Sequence, residues 1–176
     1  MVAMTVFVAD RPVILLAKDS KFPGQLAFYL GHELGHIALG HVPTGAVLVD
    51  MDQDMAARDA DDGEERAADA FALEVLTGEA SPTVVSGTGH ASGSELARVA
   101  IDAASDLQIE AGTLALCFGY STGRWGTAMR AMNRIYPSAQ PLWPGVNQLA
   151  MRQLEIDRLP TDSRDYLLAA LGLEQT

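Results

Sequence analysis

The N-terminal stretch of the chain carries short apolar runs separated by turn signals. Residues 4–8 and 13–17 are rich in Val, Ile and Leu, and Pro12 lies between them. Apolar runs bounded in this way predict two short antiparallel strands joined by a turn. A third strand is predicted at residues 45–49. These segments together predict a small antiparallel sheet.

A helical pattern lies between the second and third predicted strands. Phe22 and Pro23 form a plausible helix start, because proline is tolerated in the first turn. Gly40 provides a stop signal. The apolar positions between them recur at helical spacing and are Leu26, Tyr29, Leu30, Leu34 and Ile37. The pattern predicts a helix that ends near Gly40.

The remainder of the chain has mainly helical patterns. An acidic cluster at residues 61–62 and Gly78 bound a predicted helix at 63–77. Residues 78–94 are rich in Ser, Thr, Gly and Pro, and we interpret them as a boundary. Ser92 and Glu95 have the spacing of a capping box, which predicts a helix from there to about residue 106. Further helices are predicted at 109–118, 122–135, 145–154 and 162–171, with an irregular, proline-rich segment at 137–144.

The pattern as a whole predicts an α+β fold in two parts. Residues 1–80 would hold the small antiparallel sheet and the first two helices, and residues 81–176 would form a mostly helical C-terminal region. A hydrophobic content of 48% is ordinary for a globular protein and is enough for a sizeable core. Cys117 is the one cysteine of the chain and cannot form an internal disulfide, which fits a reducing compartment. With neither a signal-peptide pattern nor a long apolar stretch, we expect a cytoplasmic protein without membrane association.

The two halves of the chain differ in charge. The net charge of −11 argues against binding of nucleic acid or anionic membrane by the chain as a whole. Residues 50–65 hold eight acids and one base, whereas residues 107–153 hold four arginines and one acid. We interpret the acidic run either as a solvated loop or as a surface that attracts a basic partner.

The segment His32-Glu33-Leu34-Gly35-His36 is an HExxH motif within the first predicted helix. Residues four apart share a helix face, so both imidazoles can reach one ion. Two neutral imidazoles and a carboxylate suit zinc and leave a fourth position for water. Glu33 would then serve as the catalytic base that accepts a proton from the attacking water.

The third zinc ligand is predicted in the second helix. Glu65 and Asp69 lie four residues apart and share a face. Glu65 can bind the metal while Asp69 accepts a hydrogen bond from a ligating histidine, an arrangement that metal sites commonly use. Glu64 would point instead with Ala67 and Ala68, which makes it the weaker candidate.

These paired motifs resemble those of a known family. HELGHIALGH at residues 32–41, followed by EERAADAFALEVLTG at 64–78, resembles the ImmA/IrrE family of metallopeptidases. The resemblance covers roughly residues 12–80. It implies a zincin-like core, with His32, His36 and Glu65 as zinc ligands and Glu33 as the catalytic acid and base. It also implies a protein substrate of the helix-turn-helix repressor type.

Other features leave alternatives open. His41 follows His36 by five residues rather than the six of a metzincin, so we expect a helix-terminal residue favoured by the dipole and not a ligand. Residues 114–130 loosely fit a helix-turn-helix, but Gly123 and Gly126 would weaken a recognition helix, which argues against direct DNA binding. Three function classes remain: a site-specific zinc peptidase, a non-proteolytic regulatory module that keeps the zincin fold, and a DNA-associated regulator with structural zinc.

Overall fold

The fold is α+β, with a small antiparallel sheet and a majority of helix. The computed structural model describes residues 3–8, 11–17, 20–43, 47–50, 63–82, 92–138 and 142–173. The strands in these segments are β1 (Ala3–Val8), β2 (Arg11–Leu16) and β3 (Val47–Asp50). The helices are α1 (Pro23–Ala38), α2 (Gly63–Thr77), α3 (Gly93–Leu107), α4 (Ala111–Thr122), α5 (Trp125–Ile135), α6 (Leu142–Met151) and α7 (Thr161–Ala170).

The sheet has the strand order β2-β1-β3, and both neighbours are antiparallel to β1. Thr5, in the middle of the central strand, pairs with Ile14 on one side and Leu48 on the other. Side chains alternate between the faces of a strand. Ala3 and Thr5 are both buried, so the face that they share is covered. The predicted small antiparallel sheet is confirmed.

Helix α1 lies against the sheet and against two other helices. It contacts β1, β2, α2 and α4. Pro23 occupies the first turn, where the missing N–H has no partner to lose. The helix ends at Ala38 with Leu39 as its C-cap, so the predicted helix that ends near Gly40 is confirmed. The motif-bearing helix occupies the centre of the packing.

Helix α4 joins the two hydrophobic clusters of the core. Every residue from 112 to 119 is buried. Leu116 and Phe118 pack in a cluster with residues of α3 and α5, whereas Cys117 packs with Phe28 and Leu73 from α1 and α2. Burial raises the pKa of the Cys117 thiol to about 12, which fits a small apolar core residue rather than a nucleophile.

The chain divides into two compact units. Met1–Ala139 form one unit and Gln140–Thr176 form a second. Within the first unit, α4 packs on α1, α3 and α5. The predicted division near residue 80 stays a prediction. In the second unit, Asn147 donates a side-chain hydrogen bond of 2.8 Å to the carbonyl oxygen of Leu171.

The proline-rich segment at 137–144 is partly helical, contrary to the prediction of an irregular stretch. Helix α6 begins at Leu142 and includes Pro144 in its first turn. A proline there costs no hydrogen bond, because the first N–H groups of a helix have no partner within it. The predicted acidic cap at residues 61–62 lies outside the described residues.

Candidate metal centre

Helix α1 directs two imidazoles toward the same place. His32 and His36 are four residues apart, and their side chains therefore leave the same face of the helix. Their Nε2 atoms lie 3.0 Å apart. Both residues are 1% exposed. The pair is thus held inside the molecule with one nitrogen of each ring facing the other.

Glu65 on α2 completes a group of three donors. One carboxylate oxygen lies 3.2 Å from His32 Nε2, and the other lies 3.3 Å from His36 Nε2. The side chain of Glu65 is 32% exposed, so the group is open to solvent on the side of this carboxylate. Glu64, the weaker candidate from the sequence, is exposed.

The three donors have the spacing of ligands to a single small ion. Two atoms bound about 2.0–2.1 Å from a tetrahedral zinc ion lie about 3.3 Å from each other. The observed separations of 3.0, 3.2 and 3.3 Å are close to that value. Within the described residues, His32, His36 and Glu65 therefore form a group that could hold a metal ion.

The charge state of Glu65 suits a ligand. Hydrogen bonds from His32 and His36 hold the pKa of the Glu65 carboxyl group well below its usual range, and burial opposes them only in part. The group is therefore ionised at neutral pH. A metal binds the deprotonated carboxylate, so no proton has to be removed first.

Close packing between α1 and α2 brings Glu65 to the histidines. A Cβ atom added at Gly31 would lie 3.2 Å from Ala72 Cβ, and one at Gly35 would lie 3.0 Å from Ala68 Cα. Ala68 and Ala72 are completely buried. Glycines four apart on α1 thus face alanines four apart on α2, which lets the two backbones approach closely. Glu65 lies one turn before Ala68 and is carried to the metal group by this contact.

Asp69 lies behind His32, on the opposite side of the ring from the donor group. Its Oδ1 is 2.8 Å from His32 Nδ1. If Nδ1 carries the proton, it donates to the carboxylate and the lone pair of Nε2 faces the donor group. Such outer partners fix the tautomer and the orientation of a ligating histidine. This is the position in which the sequence spacing predicted Asp69.

Glu33 is held by a residue of the sheet. It is completely buried, and one of its carboxylate oxygens accepts a 2.5 Å hydrogen bond from Thr5 Oγ1 on β1. Thr5 is not among the site residues predicted from the sequence. The available signal was a hydroxyl-bearing residue within an apolar strand, but its partner lies 28 residues away and could not be read from local pattern.

His41 contacts His36, which the interpretation as a helix-terminal residue did not anticipate. Its Nδ1 lies 3.1 Å from His36 Nδ1, and the ring centroids are 5.1 Å apart. His36 Nδ1 is the nitrogen that faces away from Glu65. His41 is therefore behind His36, as Asp69 is behind His32, and it is not one of the three grouped donors.

A pocket of about 330 Å³ lies beside the donor group. It is bounded by α2, by the turn that follows α2 and by the end of α4. Its lining includes Arg66, Asp69, Leu73, Pro82, Tyr120 and Ser121. Asp69 therefore lines the pocket and also contacts His32.

The loosely predicted helix-turn-helix corresponds to α4 and α5. Gly123, in the left-handed conformation, ends α4. The Trp125 ring lies over Gly119, where an added Cβ would come within 2.6 Å of it. The bulky Trp125 is thus accommodated by a glycine in the preceding helix. Arg130 and Arg134 are exposed on α5.

Comparisons with known proteins return no relatives. No family model matches the chain, and neither a curated protein nor a solved structure matches it. No helix in the described part of the chain has the length and apolar character needed to cross a membrane.

Proposed function

We propose that this protein is a zinc-dependent metallopeptidase of the ImmA/IrrE type, with a zincin-like core. The observation that carries the proposal is the convergence of His32, His36 and Glu65 around one point, with Glu33 next to His32 in the chain. The order of elements also supports it, because a motif helix and a glutamate-bearing helix pack together beside a small antiparallel sheet.

The donor set favours zinc as the metal. Two imidazoles and one carboxylate suit zinc and leave a position for water or substrate, as in catalytic sites. Zinc in such a site supplies Lewis acidity, which polarises a substrate carbonyl and makes a water molecule a better nucleophile. Nδ1 of His32 contacts Asp69 and Nδ1 of His36 contacts His41, which leaves Nε2 of each ring as the nitrogen that faces Glu65 and could bind the ion.

Glu33 supplies the proton transfers in this proposal. A carboxylate in this position accepts the proton of the attacking water and later gives it to the leaving amine. The Thr5 hydroxyl holds one carboxylate oxygen, which restricts the side chain to one orientation. A fixed orientation keeps the acceptor within reach of the reacting atoms, which is a large part of what an active site contributes.

The proposed substrate is a basic protein of the helix-turn-helix repressor type. The acidic run at residues 50–65 separates the two parts of the metal group in sequence and ends at Glu65 itself. Eight acids there would attract a basic partner and raise its association rate at low salt. Direct DNA binding is not part of the proposal, because the net charge of −11 opposes it.

One observation favours a second candidate, a non-proteolytic metal-binding regulatory module that keeps the fold. Glu33 is completely buried and both histidines are 1% exposed, whereas a peptidase has to admit a peptide to these groups. In such a module the metal would stabilise the α1–α2 pair, and Glu33 would serve only as a partner of Thr5. A third candidate, a DNA-associated regulator with structural zinc, has no comparable support.

The test combines metal analysis with cleavage. The purified wild type should hold about one zinc per chain, and His36→Ala and Glu65→Ala should lose it. The zinc-loaded wild type should cut a small basic helix-turn-helix protein encoded beside this one, and Glu33→Gln should bind zinc but not cut. Full zinc occupancy in both ligand variants would refute the metal site. Zinc binding without cleavage of any such partner would favour the regulatory module.

A further inference from the structure

The backbone at the end of α1 folds His41 back onto His36. Leu39 is the last residue with helical geometry, and Gly40 follows it with a φ of +75°. The N–H of His41 donates to the carbonyl oxygen of His36 at 2.9 Å, and the N–H of Gly40 donates to that of Ile37 at 3.2 Å. These two bonds define a Schellman motif, in which the second residue after the cap returns to the third residue before it. Because this motif joins residues five apart in sequence, it brings His41 back to His36.

The side chains continue the contact that the backbone begins. The two Nδ1 atoms lie 3.1 Å apart, within hydrogen-bonding distance, and the ring planes are inclined at 69°. A hydrogen bond between two imidazole nitrogens requires that one carries a proton and the other a lone pair. His36 can present a lone pair at Nε2 to a metal, while staying neutral, only if its proton is at Nδ1. The acceptor must then be His41 Nδ1.

We infer that His41 is a positioning residue for the metal site, which holds His36 by accepting a hydrogen bond from its Nδ1–H. His41 itself then carries its proton on Nε2. It does for His36 what Asp69 does for His32, so each imidazole of the donor group is fixed from behind by a different acceptor. This inference rests on the proposed metal site and adds to it the means by which the second histidine is oriented.

The two acceptors differ in chemical strength. Asp69 offers a carboxylate, and a hydrogen bond to an ionised acceptor is stronger than one to a neutral imidazole. The loss of His41 is therefore expected to weaken zinc binding toward the lower end of the roughly 10- to 100-fold range seen for outer partners. The loss of Asp69 should weaken zinc binding by a factor toward the upper end of that range.

The experiment measures zinc affinity in the purified full-length chain by competition with a chelator, with no substrate present. His41→Phe keeps a ring but removes the acceptor nitrogen. His41→Asn keeps an acceptor, because its amide oxygen is bonded to Cγ as Nδ1 is in histidine. We expect the dissociation constant to rise about tenfold in His41→Phe and to stay within about threefold of the wild type in His41→Asn.

Unchanged affinity in His41→Phe would overturn the inference, and so would an equal loss in both variants, which would indicate a steric role. A second measurement depends on neither variant. Long-range ¹H–¹⁵N correlation spectra of the zinc-loaded wild type should show His36 protonated at Nδ1 and His41 at Nε2. A proton on His41 Nδ1 would refute the assignment. Failure of the wild type to bind zinc would instead refute the proposed function.

Discussion

Adding one methyl group at Gly35 is expected to disturb both the stability and the metal site. A Cβ there would lie 3.0 Å from Ala68 Cα and 3.1 Å from the Ala68 carbonyl oxygen. Both are backbone atoms of α2, so no side-chain rotation can relieve the contact. Helix α2 has to move away from α1, and it carries Glu65 and Asp69 with it.

The size of the effect follows from these distances. Ordinary van der Waals contact begins at 3.4 Å, so the shortest contact of 3.0 Å requires a displacement of a few tenths of an ångström. Overpacking of this kind costs about 1–3 kcal/mol. Replacing a helical glycine by alanine also gains up to about 1 kcal/mol. A shift that approaches the roughly 0.5 Å tolerance of a functional site should weaken zinc binding on the order of tenfold.

The assay compares Gly35→Ala with a glycine that has room for a methyl group. A Cβ at Gly126, on α5, would meet only the end of the Arg130 side chain at 3.5 Å. Gly126→Ala makes the same replacement at the second residue of a helix without the steric clash. In urea unfolding of the metal-free proteins, we expect the free energy of unfolding to be about 1–3 kcal/mol lower for Gly35→Ala than for Gly126→Ala. Zinc affinity should fall in the first variant alone.

Equal stability of the two variants would refute the argument that backbone approach limits residue 35. A loss of stability without any change in zinc affinity would refute the inference that a shift of α2 displaces Glu65. It would mean that α2 can yield at Ala68 while Glu65 keeps its place beside the histidines.

The remaining predictions concern single contacts and the acidic segment. Asp69→Ala should raise the zinc dissociation constant about 10- to 100-fold while leaving the three donors in place, and affinity equal to wild type would make Asp69 a mere surface acid. Thr5→Val should keep full zinc content but lower the cleavage rate about 10-fold or more, and Thr5→Ser should restore it; a rate equal to wild type in Thr5→Val would show that Glu33 needs no anchor. Neutralising the acidic run should slow cleavage of a basic partner and flatten its salt dependence without changing zinc content, and unaltered association rates across ionic strength would leave only a solvated loop. The substitutions are to asparagine at Asp52, Asp54, Asp59 and Asp61.

Much of the secondary structure could be predicted because the relevant signals are local. Helix α2 spans residues 63–77 as predicted, and Gly78 ends it with a φ of +82°. Ser92 caps α3 as predicted, accepting a hydrogen bond from the Glu95 N–H at 3.2 Å. In both cases a single residue type at a helix end has a specific backbone role, so its position can be read from the sequence.

The candidate site was partly predictable for the same reason. The spacing of His32 and His36, and that of Glu65 and Asp69, reflects the period of one helix. The Thr5–Glu33 hydrogen bond depends instead on how the sheet packs on α1, and nothing in either local pattern specifies that pairing. His41 is an intermediate case. Its position after Gly40 is a local signal for a Schellman motif, but the side-chain contact with His36 becomes evident only with coordinates.

Residues of the HExxH segment contact both α2 and β1, so one short motif joins the parts of the site. His32 and His36 face Glu65, and Glu33 faces β1. Gly35 faces the backbone of α2, whereas Leu34 is 42% exposed. The two intervening positions of the motif are therefore not equivalent. Leu34 is partly exposed, whereas a side chain at residue 35 would push away the helix that carries the third donor. The metal group thus depends on a residue that supplies no ligand, because the absence of a side chain there sets the distance between the two helices.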